Sequence, residues 1–304
     1  MLKIGTRGSK LALTQAHWVR DQIAREHPDL PIAMQIIKTS ADQDALTPIR
    51  SASGRGVFVK EIEEALAAGE IDLAIHSMKD MPTKVPELLQ ISAIPIREDA
   101  RDALLCRNPL EDLRALPPGA LVGTGSIRRQ AQILAARPDL KVRDIRGNVD
   151  TRIQKLMNRE FEAIILACAG LNRLGMKDRI SAYLGFEQML PAPGQGALAL
   201  ETRRDDTHVV EIVSFLNHVA TCKAVLAERA FLRQMGGGCN SPIAAYAYQE
   251  DGMMMIEGLV ATPDGTKILR EATTALPERA EESACSLAEI ILSKGGKEIL
   301  LDSC

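Results

Sequence analysis

The sequence predicts an α/β protein: two related α/β domains followed by a small α+β domain. Three observations predict it. Short apolar runs alternate with amphipathic stretches of helical period through the first two-thirds of the chain. A strand, Gly-Thr, Gly-Ser, helix pattern occurs twice, as "IGTRGSKLALTQA" at 4–16 and "VGTGSIRRQAQIL" at 122–134. From about residue 218 the alternation stops; a helix, three strand-like runs and a closing helix follow.

The elements read in order as follows. "LKIGT" is a strand, and Ala12, Ala16, Val19 and Ile23 mark a helix ending near "HPDLP". "IAMQIIK" is a second strand. Residues 39–56, "TSADQDALTPIRSASGRG", form a long polar loop of the kind that is usually functional or disordered. Phe58, Ile62, Ala65 and Leu66 mark a helix, and "IDLAIHS" is a strand ending at "MKDMP". After "REDARDALLCR" the pattern restarts: "ALVGTGS" is strand to turn, Ile127 to Ala136 is helical and "KVRDIR" is a strand. Val149, Ile153, Leu156 and Met157 then mark a helix, and "EAIILACAG" is a strand. "LPAPGQGALALE" crosses back and closes with a strand. A helix running to about Gln234 leads to "RQMGGGCNSP". "IAAYAY", "MMMIEGLVA" and "KILREATTA" are strands, the last two joined at "PDG". Ala280, Ala284, Leu287 and Ile291 share one face of the closing helix.

Composition narrows the function. The 304 residues suffice for two or three domains with real cores, which must be mostly aliphatic because aromatics make up 3%. A net charge of −3 argues against a general nucleic-acid or membrane-surface binder. No apolar run approaches a membrane span, and the start shows no signal-peptide pattern. The six cysteines form no CxxC pair and fit neither a zinc site nor a disulfide framework, so a reducing cytoplasm is the expected compartment and no metal is expected. Neither a P-loop nor a GxGxxG fingerprint is present.

Three features carry chemistry. The repeated motif sets Ser9 and Ser126 at helix N-termini beside basic residues, an arrangement that holds an anion or, on the competing reading, only caps the helix. Residues 120–160 hold nine Lys/Arg against four acids, and the Arg-rich set suits a polycarboxylate or phosphate ligand as well as a solvated face. The turn Met78-Lys79-Asp80 ends a buried-looking strand, where open α/β folds bind ligands; it offers a cation and a carboxylate, or a surface ion pair. His76 is read as a structural hydrogen-bonder rather than a base. The glycines before Cys239 strip cover from its thiol.

Together with "GRGVFVKEIE", "IREDARDAL", "RPDLKVRDIRGNVDTRI" and "AERAFLRQMGGGCNSPI", these stretches resemble the porphobilinogen deaminase (hydroxymethylbilane synthase) family, collinearly and over nearly the whole chain. The resemblance implies two α/β domains like those of type II periplasmic binding proteins, residues 1–97 with 197–215 and residues 98–196, and an α+β domain at 216–304. It implies head-to-tail condensation of four porphobilinogen molecules, with loss of ammonia, by a monomeric transferase of tetrapyrrole biosynthesis. It also implies a dipyrromethane cofactor joined by a thioether to Cys239. By matching motifs, Asp80 is the catalytic carboxylate; Lys79, Asp80, Ser126, Arg128, Arg129 and Arg146 bind the cofactor; Arg7, Ser9, Arg55, Arg152 and Arg173 bind substrate. The chain departs from the family pattern at Arg55, where lysine is commoner, at Ala41 for glycine, at Gly125 for serine, and after the cysteine in "GGCNSPI". A non-catalytic solute-binding protein on the same two domains is the alternative; it needs neither Cys239 nor Asp80.

Overall fold

The computed structural model describes residues 1–39, 59–108, 110–237 and 241–301. Arg55, Cys239 and nearly all of the 39–56 loop lie outside the described residues. By contacts the chain divides into two units, residues 1–98 with 197–222, and residues 99–196 with 223–304.

In the first unit, β1 (Leu2–Thr6) leads into α1 (Lys10–Glu26) and β2 (Ile32–Ile36). Next come α2 (Lys60–Ala67), β3 (Leu73–Ser77), a 3-10 turn at Met78–Asp80 and β4 (Leu89–Ala93). The chain returns later to add β10 (Leu198–Arg203) and α6 (Thr207–Ser214). The sheet order is β2-β1-β3-β10-β4, with β10 antiparallel to both neighbours. Leu73 and Ile75 pack on the α1 side with Ile4, Val19 and Ile23, while Ala74 packs on the α2 side with Ile62 and Leu66. Alternation along β3 therefore fixes which helix each side chain meets, and it turns His76 to the α2 side with Ala74.

The second unit repeats the scheme. It contains β5 (Asp102–Cys106), β6 (Leu121–Gly123), α3 (Ile127–Ala136), β7 (Lys141–Arg143) and α4 (Val149–Met157), then β8 (Ala163–Ala167), α5 (Cys168–Arg173) and β9 (Ala182–Leu184). Its order is β7-β6-β8-β5-β9, with β5 as the antiparallel insert. Two five-stranded sheets of one design, each with one antiparallel strand taken from next to a crossing, agree with the expected pair of related α/β domains.

The last segment contains α7 (Val219–Gln234), the antiparallel meander β11 (Ile243–Glu250), β12 (Met253–Ala261) and β13 (Ile268–Ala275), then α8 (Ala280–Ile291) and a terminal α9 (Lys297–Leu301). Phe231, Ile256, Ala284 and Leu287 lie in its own aliphatic core. The sequence placed 216–304 in a separate domain; by contacts, residues from Lys223 group with 99–196. The other face of the meander explains this: Ala244, Leu259 and Ala261 pack on Ala131 of α3 and Leu190. Arg270 donates to the carbonyls of Phe186 and Glu187, at 2.9 Å each. Residues 216–222 group with the first unit; there Asn217 Oδ1 accepts from Ile94 N at 3.0 Å and His218 N donates to Ile94 O at 2.9 Å.

Other differences from the sequence reading have local causes. "EAIILACAG" is a strand only to Ala167, after which Cys168–Arg173 is helical. "KVRDIR" is a strand only to Arg143. β4, β5, β9 and α6 were not anticipated; β5 and β9 are short, and β5 is buried at every position, leaving no alternation to detect. No single helix among the described residues is long and apolar enough to cross a membrane.

Candidate functional site

In the first unit, a cavity of about 70 Å³ opens at the carboxyl ends of β1 and β3. Arg7, Ser9, Gln15, His76, Ser77 and Asp80 line it, with Ile75 and Val59 as apolar wall. Arg7 and Ser9 come from the turn after β1, and Asp80 from the 3-10 turn after β3. Ser9 caps α1: its Oγ accepts from Ala12 N at 3.3 Å. The capping reading therefore holds for Ser9, and the same hydroxyl faces the cavity at the positive end of the helix. No hydrogen bond or ion pair to the Asp80 side chain occurs among the described residues, so the surface ion pair with Lys79 does not form. Lys79 sits half-buried beside it in the same turn.

His76, also in the cavity wall, is buried, and its Nε2 lies 3.1 Å from Glu201 Oε2 on the adjacent β10. Antiparallel register pairs His76 with Ala199 and Ala74 with Glu201, which puts both side chains on one face. Glu63 of α2 comes down on the same face. Burial, then the Glu201 charge, raise its pKa from 4.5 to about 7, and His76 opposes them.

In the second unit, the expected arginines separate into two sets. Arg128 and Arg129 are buried, and both are held by Asp102, the first residue of β5. Burial alone would raise the Asp102 pKa; the two guanidinium groups outweigh it and hold the carboxyl far below its ordinary value. Gln195 Nε2 adds a hydrogen bond to Asp102 Oδ1 at 2.8 Å. Ser126 caps α3, accepting from Arg129 N at 3.5 Å. The second set lies on the outer loops. Arg146 pairs with Asp144 at 3.0 Å, Arg152 Nε donates to Gly147 O at 2.7 Å, and Arg173 Nη2 donates to Gly196 O at 2.7 Å. Where the sequence has Gly125 for the usual serine, a Cβ would sit 2.8 Å from Asp144 Oδ1. The space a side chain would need is occupied by the carboxylate that holds Arg146.

Comparison with known proteins decides what this arrangement belongs to. The pattern of "Porphobilinogen deaminase, dipyromethane cofactor binding domain" matches residues 2–211, and that of the C-terminal domain matches residues 222–293.

The chain belongs to the porphobilinogen deaminase family.

It is 48% identical to the porphobilinogen deaminase of Pelobacter propionicus over 98% of this chain and 96% of that one. It is also 48% identical to that of Thermus thermophilus, over 98% and 97%. Among solved structures, the VFT2 domain of Bordetella pertussis BvgS has a TM-score of 0.41 at 17% identity, covering 70% of this chain and 84% of that domain.

The residues present suit the family's anionic cofactor. Arg128 Nε is buried with no acceptor among the described residues, and two guanidinium groups against one carboxylate leave one net positive charge. Sequence reasoning missed Asp102, Gln195, Glu201 and Glu63. The one available signal was a lone Asp opening the otherwise apolar run "DALLC".

Proposed function

We propose that this chain condenses four porphobilinogen molecules head-to-tail into hydroxymethylbilane, as a monomer in the cytoplasm acting on a small molecule and on neither nucleic acid nor membrane. The observation that carries the reading is Asp80: a carboxylate without a partner among the described residues, sharing a cavity with Arg7 and the capped N-terminus of α1. The family membership stands behind it. The net charge of −3 and the cysteine spacing support the partner and compartment assignments.

Each porphobilinogen carries an acetate and a propionate. Arg7 and Ser9 hold such carboxylates at the helix end, and Lys79 and Arg55 add cations. Arg128, Arg129, Arg146 and Ser126 hold the cofactor's carboxylates, while Arg152 and Arg173 take those of the growing chain. When joined through Cys239, the dipyrromethane cofactor supplies the pyrrole carbon from which the product grows. Loss of ammonia from porphobilinogen leaves an electron-poor azafulvenium. Asp80 stabilises its pyrrole N–H, an effect worth about 3 kcal/mol in a preorganised site.

Intact-mass measurement of the purified protein tests this directly. The expected mass exceeds that of the polypeptide by two pyrrole units, and Cys239→Ser removes both the adduct and turnover. An unmodified wild type that is fully active sinks the reading.

A further inference from the structure

Nothing in the established chemistry uses the buried acid–base cluster behind the cavity. His76 Nε2 lies 3.1 Å from Glu201 Oε2, and both side chains are almost fully buried. His76 is also one of the residues lining the cavity that holds Asp80. His76 Nδ1 has no hydrogen-bond partner among the described residues, and it is not one of the fully buried orphan atoms. Reading His76 as structural accounts for Nε2 only. An imidazole oriented at one nitrogen by a carboxylate and open at the other is the arrangement of a general base and its orienting group.

We propose that His76 is a second catalytic residue: Nδ1 accepts the proton released when each new carbon–carbon bond forms, and Glu201 is the positioning residue that fixes the ring. The inference rests on the reading of the chain as a porphobilinogen-condensing enzyme. The balance is complete without a co-reactant. The methylene C–N bond of the incoming unit breaks, and its electron pair leaves with ammonia. The α-carbon of the terminal pyrrole bonds to that methylene. Its C–H bond then breaks, the electrons restore the aromatic ring, and the proton goes to Nδ1 of His76. His76 passes it to the departing ammonia, which leaves as ammonium.

The groups facing His76 fit this task. Glu201 comes from β10, Glu63 from α2, and Asp80 and Arg7 from the cavity rim. Glu201 Oε1 and Glu63 Oε1 are both buried with no hydrogen-bond partner among the described residues. Glu63 stands on the same face, its pKa raised to about 7 by burial and by the Glu201 charge.

Two readouts test the proposal on the purified, cofactor-bearing protein. The first does not use activity. Imidazole 15N NMR of the wild type is expected to show the Nε2–H tautomer, with Nδ1 a bare acceptor; hydrogen on Nδ1 overturns the proposal. The second compares wild type with His76→Gln, using porphobilinogen bearing hydrogen or deuterium on its free pyrrole α-carbon. Turnover is expected to fall roughly 100-fold with the mass adduct retained, and the isotope effect to rise above that of the wild type because proton removal becomes rate-limiting. Near-normal turnover, or slow turnover with no rise in isotope effect, overturns it. Should His76→Gln fail to fold, Glu201→Gln decides through the same isotope measurement, since it disorients the base without removing it. A wild type that lacks the adduct, or that leaves porphobilinogen unconsumed, defeats the underlying reading instead, so the two failures are distinguishable.

Discussion

Asp102 Oδ1 takes both Nε and Nη2 of Arg129, at 3.1 and 2.7 Å. The other oxygen, Oδ2, lies 2.8 Å from Nη1 of Arg128. One carboxylate at the start of β5 thus anchors two neighbouring residues in the first turn of α3. Asp102→Asn removes the anchor and leaves two buried cations, which costs about 3–5 kcal/mol and lowers the melting temperature by roughly 10 °C. The folded carboxyl lies below its ordinary value, so its stabilisation is present above the unfolded pKa of 3.8 and is lost as pH falls below it. Melting curves check both parts: the gap between wild type and variant should be wide at neutral pH and narrow in acid. A gap independent of pH contradicts this account.

Glu63 gives the opposite sign. Its folded pKa of about 7 exceeds the ordinary 4.5, so the folded state keeps a proton that the unfolded chain has released. The stability tied to that proton is present in acid and is lost as pH rises through about 7. Glu63→Gln stays neutral throughout. Its melting temperature should gain on that of the wild type between pH about 5 and about 8 by about 3 °C, allowing for solvent around a half-buried group. Parallel pH profiles would remove the effect.

Asp80→Asn keeps the size of the side chain and removes the charge. Turnover should fall by roughly 100-fold or more, while intact mass still shows the two-pyrrole adduct or the adduct carrying one to several extra pyrroles. Rates close to normal would take Asp80 out of the mechanism.

Gly265, at φ +71° in the turn between β12 and β13, lies against the backbone of α3: a Cβ there would meet Ala135 N and come within 2.5 Å of Ala131 O. Gly252, at φ +79° between β11 and β12, has open space around it. Gly252→Ala therefore carries only the backbone cost of about 1 kcal/mol, whereas Gly265→Ala adds a clash that moves the hairpin off α3, for roughly 2–4 kcal/mol in total. Chemical denaturation of the two variants compares them; equal losses would show that the hairpin yields freely.

How much of this was legible in the chain follows from the range of each interaction. Helix α1, the span Ile127–Ala136, the three strands of the meander and the apolar face of α8 follow from period alone, because a helix or half-buried strand writes its own repeat into neighbouring residues. The caps Ser9 and Ser126 are likewise local, each bonding a backbone N–H three residues on. The expected site residues Asp80, Arg7 and Ser9 were found by motif, and the fold brings those three to one cavity. What the sequence by itself did not determine is which charges are spent on the protein and which remain for a ligand. Arg128 and Arg129 read as cofactor-binding cations, but their motif does not show that β5 brings Asp102 to both from 26 and 27 positions away. His76 read as a structural hydrogen-bonder, but its partner came from afar: β10, inserted beside β3, brings Glu201 to it across 125 positions. A charge is stable in an apolar interior only where a partner meets it. That meeting is made by strand order and register, which no local stretch of sequence encodes.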